Sequence, residues 1–473
     1  MTACWISSSL ILTSKHSLLQ KPTLQKLIAP IRVSRKRIFS SRVLRDSSIL
    51  LLGNWLNLLL ALITSALLAR NLGTHDFGIM VLSMTLVNFV IMFIDAQTDE
   101  ALIRFMGAAL ARGERNAALT FFYAALVLDT VVALVALVVV VVVVPPVARA
   151  YPDGAMLERL VWIFLLTTPF NILQTNFESV FKTFKKFRLT TIIRITTSIF
   201  SLLLLAGLAV QGVEAVIWGQ VAVIPVTFVL YAAGAVWLLS KNLKGAQAQN
   251  FRGVFRQLLP FVFHTSFMGS LKAVSVNIAI LLLGAFTSIS AVSFYKIARS
   301  AVALIALPVA PIVTVIYPMM NEAWALGNLA RVKYLIQRFM LLSGVITLSL
   351  TVLLLLFADT LVIMVYDTSY LPVAMLVRIM SLSTILESVM GWVRTAALAA
   401  GKPALVTFTG TISSLAYFPL EFVLIYHFGV IGAALGNICV VLLIIVLNII
   451  YVLPKLGLGS LFSRMIPSTI KVE

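Results

Sequence analysis

Charge is scarce in this sequence. Only 11% of its 473 residues are Asp, Glu, Lys or Arg, against 61% hydrophobic, and the mean hydropathy is +1.05. No soluble globular domain has that balance. Two cysteines, Cys4 near the start and Cys439 in an apolar run, exclude a disulfide framework and a thiolate metal site. The four histidines, His16, His75, His264 and His427, are too scattered for a metal cluster, and His264 reads as a packed side chain among apolar neighbours. There is no GxxxxGK[ST] loop, so ATP hydrolysis by this chain is not expected. No Ser-His-Asp or paired-Cys arrangement stands out, and no outer loop is long enough to carry the acids or metal of a membrane glycosyltransferase. Neither an enzyme nor a cofactor is expected.

What the chain does have is apolar length. Hydrophobic runs of 20 to 30 residues recur from Ser48 to Pro454, which makes the bilayer the solvent and the helix the spanning element. We count about twelve transmembrane helices: 48–69, 77–98, 117–144, 157–181, 189–210, 214–239, 255–285, 291–320, 337–358, 371–399, 404–426 and 430–453. The expected fold class is therefore an all-α integral membrane protein.

The formal net charge of +19 is topological rather than a nucleic-acid footprint. Lys182, Lys185, Lys186 and Arg188 follow the fourth span, Lys241, Lys244, Arg252 and Arg256 the sixth, and Arg331, Lys333 and Arg338 the eighth. The alternate loops are poor in cations, so the positive-inside rule puts both termini in the cytoplasm of a multi-pass plasma-membrane protein. Residues 1–45 carry nine basic side chains and no acid before Asp46. That composition suits a cytoplasmic arm held near anionic lipid head groups, and it is also the composition of an organellar transit peptide.

The chain repeats itself. YPDGAMLERLVWIFLL at Tyr151 and YDTSYLPVAMLVRIMSL at Tyr366 begin 215 residues apart, and QGVEAVIWG at Gln211 matches FGVIGAALG at Phe428 with an offset of 217. Two six-helix lobes of like orientation follow, over 48–240 and 255–453, with a basic tail over 1–47, a cytoplasmic linker over 241–254 and a C-terminal tail over 454–473.

The stretch ARNLGTHDFGIMVLSMTLVNFVIMFIDAQTDEALIRFMG, the LLPFVFHTSF opening of the second half and the paired GVxxxxxG motifs resemble the polysaccharide-exporter, or O-antigen flippase, family. That family belongs to the larger group of multidrug, oligosaccharidyl-lipid and polysaccharide exporters. The resemblance covers about 45–455. It implies two lobes in a V that open alternately, a polyprenyl-pyrophosphate-linked oligosaccharide as substrate, and a polysaccharide polymerase and chain-length machinery as partners beside the membrane lipids. Where the family often has an acid or an arginine in mid span seven, this sequence has Lys272.

Such a cargo needs a wet, cationic lumen. A cation at mid-bilayer costs roughly 2.5 to 3.5 kcal/mol, so Lys272, Lys296 and Arg299 call for water, counter-charge or an anionic ligand. Lys296 and Arg299 are three apart and share a helix face, or else snorkel to the head groups. Arg378 and Arg194 are further candidate lumen cations, and Asn54 and Asn57 candidate polar lining. Of the acids, Asp95 and Glu178 read as gating ion pairs or solvated ends. Asp129, Glu387 and Glu421 lie deeper, as ion-coupling sites or as members of a buried counter-charge network, in which Glu387 and Arg394 share a face. The rival readings are an extruder of organic cations coupled to protons or sodium, for which mid-membrane acids are expected, and a non-transporting partner of a polysaccharide assembly complex.

Overall fold

The computed structural model describes residues 41–458, and within them leaves the side chains of 41–51, His264, 267–269, 271–276 and Thr314 undescribed. Most of the tail over 1–47 and of that over 454–473 lies outside the described residues. Among the described residues all regular structure is helical. In chain order the helices are α1 (Ser41–Ile94), α2 (Thr98–Ala111), α3 (Arg115–Arg149), α4 (Gly154–Phe164), α5 (Thr168–Thr183), α6 (Phe187–Leu208) and α7 (Val213–Asn242). The second half continues with α8 (Phe251–Phe286), α9 (Ile289–Ala306), α10 (Val309–Ala325), α11 (Leu329–Val365), α12 (Pro372–Met390), α13 (Trp392–Ala399) and α14 (Pro403–Leu447).

Nine helical stretches among the described residues are long and apolar enough to cross a membrane. Two of them break at a glycine in a conformation that a side chain would strain: α1 at Gly73, φ 79°, and α14 at Gly429, φ 59°. Gly212, which precedes α7, also has a positive φ, 101°; it lies 217 residues before Gly429. The matching GV motifs thus mark matching turns. Elsewhere the chain stops helices by standard chemistry. Asn250, Ser288 and Asn328 cap α8, α9 and α11, their side chains accepting from the N–H groups of Gly253, Ala291 and Arg331, which satisfies donors the helix itself leaves open.

Several expected spans are composite. The one placed over 291–320 is α9 and α10, separated at Leu307-Pro308, because Pro308 and Pro311 lack the N–H groups a continuous ladder needs. That over 371–399 divides at Gly391 into α12 and α13, and that over 77–98 ends at Ile94, with α2 starting anew at Thr98.

Three apolar clusters hold these helices. The largest draws on both halves: Phe77, Leu82 and Leu86 pack in one body with Leu283, Val292, Tyr295 and Tyr370. The other two are separate. One joins Met106, Phe122, Phe181 and Tyr231 to Leu258 and Val262 at the start of α8, and the other joins Met320, Phe339, Trp392 and Val393. The largest cluster fuses the two halves at one end; both separate clusters lie toward the end with the basic loops, where α8 of the second half still joins the first.

At the fused end the contact is close. Tyr370 Oη donates to the carbonyl of Ala69 at 2.8 Å, and Ser293 Oγ donates to the carbonyl of Thr74. A Cβ on Gly78 would lie 2.2 Å from the carbonyl oxygen of Ile289, so only glycine permits this approach. Lipid tails are as apolar as leucine, and helix association in a membrane rests on such small-residue packing and on interhelical hydrogen bonds. The hydroxyl oxygens of Thr74 and Ser290 stand 3.4 Å apart; a Thr74→Cys, Ser290→Cys pair should therefore form a disulfide in native membranes. Adding Gly78→Val should cut that yield several-fold, since overpacking costs about 1–3 kcal/mol. An unchanged yield would mean that this contact does not hold the end shut.

Candidate functional site

At mid-length of the helices, on the basic-loop side of the shared cluster, is a cavity of about 550 Å³. Both segments of α1 wall it through Leu58, Ser65, Thr85 and Asn88, α8 through Asn277, and α9 through Lys296, Arg299 and Ser300. A neighbouring cavity of about 350 Å³ is lined by Thr64, Ser198, Ser201 and Gln220, and Lys296 lines it as well. No aspartate or glutamate is among the residues lining either cavity. Two cations, two asparagines, a glutamine and several hydroxyls make a polar surface of positive sign in the middle of a membrane protein.

Local sequence explains how α9 presents both cations. Lys296 and Arg299 are one turn apart on one face, whereas Ile297 and Ala298 on the opposite side are buried, as are Val292 and Tyr295 in the preceding turn. A spacing of three aligns the two head groups without bringing them into contact. Arginine offers a planar fork that grips two oxygens of a phosphate, and lysine a compact point charge.

The other sequence candidates fall into separate groups. Arg194 donates to Glu178 at 3.1 Å and to Asn54 Oδ1 at 3.0 Å, and Lys182 reaches the same Glu178 oxygen at 3.2 Å. Asn57 accepts from Ser198 Oγ. Asn54 and Asn57 therefore tie α1 to α6, and Arg194 stands in an ion pair away from Lys296 and Arg299. Arg378 pairs with Asp359 at 2.6 Å on the surface. Among the described residues no ion pair joins Glu387 to Arg394: the helix divides at Gly391 between them, and both are exposed, so they form no buried counter-charge network. Asp95 sits at the break after α1, where its carboxylate accepts from the N–H of Gln97 at 3.3 Å. Lys272 is on α8, with its side chain outside the described residues.

Two acids are fully buried. Asp129 accepts on Oδ2 from Thr98 Oγ1 and Asn176 Nδ2, each at 2.7 Å, while Oδ1 has no partner. Those bonds fasten α2 and α5 to α3. Glu421 on α14 has, among the described residues, no hydrogen-bond partner in good geometry for either oxygen. The polar lining residues Thr85, Asn88, Asn277 and Gln220 had not been singled out from the sequence; their signal was a polar residue on the inward face of an apolar span.

Residues 43–324 match the family model of the polysaccharide biosynthesis proteins. Among solved structures, the chain is similar to the lipid II flippase MurJ in an inward closed conformation, with a TM-score of 0.67 at 13% identity over 89% of this chain and 93% of that one. It is similar to an inward-facing multidrug resistance MATE family transporter of the MOP superfamily, with a TM-score of 0.67 at 12% identity over 85% of this chain and 95% of that one. A MOP superfamily transporter from Pyrococcus furiosus, described with a binding pocket of reverse polarity, gives 0.59 at 13% identity over 88% and 96%. At these identities the structures establish the fold, that of the MATE and MurJ transporters, and the family resemblance read from the sequence is borne out. No curated protein sequence matches the chain.

The two buried acids and the surface pairs differ in what they contribute. Thr98→Val removes one of two donors from a fully buried carboxyl, at a cost of about 1–3 kcal/mol, and should lower the thermal midpoint of the purified protein clearly. Arg378→Ala, in an exposed pair, should leave it nearly unchanged. Equal shifts would show that the Asp129 bonds do not fasten the first half.

Proposed function

The chain belongs to the polysaccharide biosynthesis protein family, a group of multi-pass membrane proteins here with a transporter fold, and from that premise we propose that it is a flippase for a lipid-linked oligosaccharide bearing a pyrophosphate. The observation that carries this reading is the sign of the cavity: Lys296 and Arg299 line it and no carboxylate does. An extruder of organic cations needs the opposite sign. In this reading the glycan and pyrophosphate occupy the wet cavity while the polyprenyl tail remains in hydrocarbon, and Lys272 adds a third cation from α8.

The architecture suits alternating access. Counting α1 and α14 as two crossings each, and α8 as one, turns nine spans into twelve, in two six-helix lobes over 48–240 and 255–453. The positive-inside rule makes the basic-loop end cytoplasmic, and in this reading the cargo enters the cavity from that side. Outward movement of two negative charges from a negative-inside cell is favoured by about 4.6 kcal/mol per 100 mV. Opening the other side requires release of the Tyr370–Ala69, Ser293–Thr74 and Gly78–Ile289 contacts.

The test is flipping of a fluorescent polyprenyl-pyrophosphate oligosaccharide in proteoliposomes, with and without an imposed potential. Native protein should flip it faster with the interior negative, and Lys296→Ala and Arg299→Ala should each slow it at least tenfold, in line with about 1.5–3 kcal/mol for a hydrogen bond to a charged group. Normal flipping by both variants would remove the cationic-cavity argument, and movement of a lipophilic cation instead would install the extruder reading. Cysteines placed over 241–252 should label from the cytoplasm only; labelling from outside would invert the topology.

A further inference from the structure

Within electrostatic reach of Arg299, and not among the residues that line the cavity, lies a carboxyl group that no structural role accounts for. Glu421 is fully buried, and among the described residues neither oxygen meets a hydrogen-bond donor in good geometry, the Tyr417 hydroxyl one turn away being the polar group that approaches it. Its side chain fills the place where a Cβ on Gly436 would lie 1.7 Å from Oε2. The two segments of α14, which turn at Gly429, therefore close around the acid rather than around an apolar residue. An ionised carboxylate in such surroundings costs several kcal/mol unless a counter-charge is near. The groups that interact with it electrostatically are Tyr417, one turn away on its own helix, and Arg299 and Tyr295 on α9. Both tyrosines are buried. Of the other helices packed on α14, α12 brings Arg378 and Glu387 and α13 brings Arg394, none of them an electrostatic partner of Glu421, while α8 carries Lys272, whose side chain is outside the described residues.

Arg299 thus has two roles. One is to line the cavity, and the other is to supply the countercharge for a buried acid. A guanidinium stays charged at any physiological pH, so what changes when an anion arrives is the acid. With a phosphate on the cavity face, one cation faces two anions in a low-dielectric region, and the relief open to the buried one is a proton taken from cavity water.

We infer that Glu421 is a proton-accepting site linked through Arg299 to the cavity, so that a phosphate-bearing anion binds together with a proton. This rests on the reading of the cavity as an anion site. Linkage is reciprocal: anion binding draws the proton on, and a lower pH tightens anion binding. Glu421 is a positioning residue for Arg299 and does not touch the cargo. The charge carried outward per cargo falls by one, and transport acquires a dependence on proton concentration that a simple anion carrier lacks.

The probe is UDP-glucose, a soluble pyrophosphate diester whose two phosphates stay singly charged across the neutral range. Binding to the full-length protein in nanodiscs is followed by calorimetry in buffers of differing ionisation enthalpy, which counts protons. In the pH range where the unliganded carboxyl is ionised, native protein should take up as much as about one proton per ligand, with affinity weakening by up to about tenfold for each unit that the pH rises. Glu421→Gln should bind at the tight limit at every pH, with no uptake. Binding without uptake overturns the inference and leaves the anion site standing, as does uptake that persists in Glu421→Gln, which would put the proton on Lys296. Absence of binding by native protein overturns both. Where Glu421→Gln fails to fold, infrared difference spectra of native protein decide: a protonated carboxyl band must appear on binding, and its absence refutes the inference.

Discussion

A positive charge held in the hydrocarbon layer must be compensated, and the rest of this structure is arranged around that requirement. Lys296 and Arg299 face a cavity of about 550 Å³ lined by polar side chains of both α1 segments and α8, and a buried acid, Glu421, interacts electrostatically with Arg299. Closing the cavity without a ligand would strand both cations. The fold instead keeps a cavity at this level, and the apolar packing on the basic-loop side is divided between two separate clusters.

The energetics of the remainder differ from those of a soluble core. Apolar contacts with lipid replace apolar contacts with protein at little gain, so cohesion rests on close approaches and hydrogen bonds. That is why glycine stands at Gly78 and Gly436, where a single carbon would collide with a carbonyl or a carboxylate, and why Thr98, Asn176, Tyr370 and Ser293 recur at helix contacts. The Asp129 bonds belong to this class. They fix three helices of the first half at the price of one buried acid.

Much of this was legible in the sequence, for physical reasons that can be named. Membrane class followed from hydropathy, since spanning helices need long apolar runs. The repeat was visible because Gly212 and Gly429 sit at turns that only glycine makes easily, so the motif around each survived in recognisable form. The spacing of Lys296 and Arg299 was enough to put both on one face. What could not be read was pairing between helices. Thr98, Asp129 and Asn176 meet across three helices, and no local pattern encodes such a meeting, whereas Glu178, read as an ion-pair member, does pair with Arg194. The division at Gly391, which parts Glu387 from Arg394, escaped a reading that counted helical turns, because a turn count assumes an unbroken helix. The hidden relation of Glu421 to Gly436 needed the turn at Gly429 to be folded first.

Helix α8 has a consequence of another kind. It begins within one apolar cluster, through Leu258 and Val262, with Phe261 against Phe105 and under the Arg104 guanidinium, and it ends within another, through Leu281 and Leu283. A helix of 36 residues is about 54 Å long. It is a rod clamped at one end by the first half and at the other by the joint, so a tilt of about 5° at the clamp moves the far tip by about 5 Å. Pro260 leaves a gap in the ladder beside the clamp, where bending is cheapest. In mechanical terms the protein is a hinge with a crank already fitted, and small rotations at the basic-loop end arrive at the sealed end as whole ångströms.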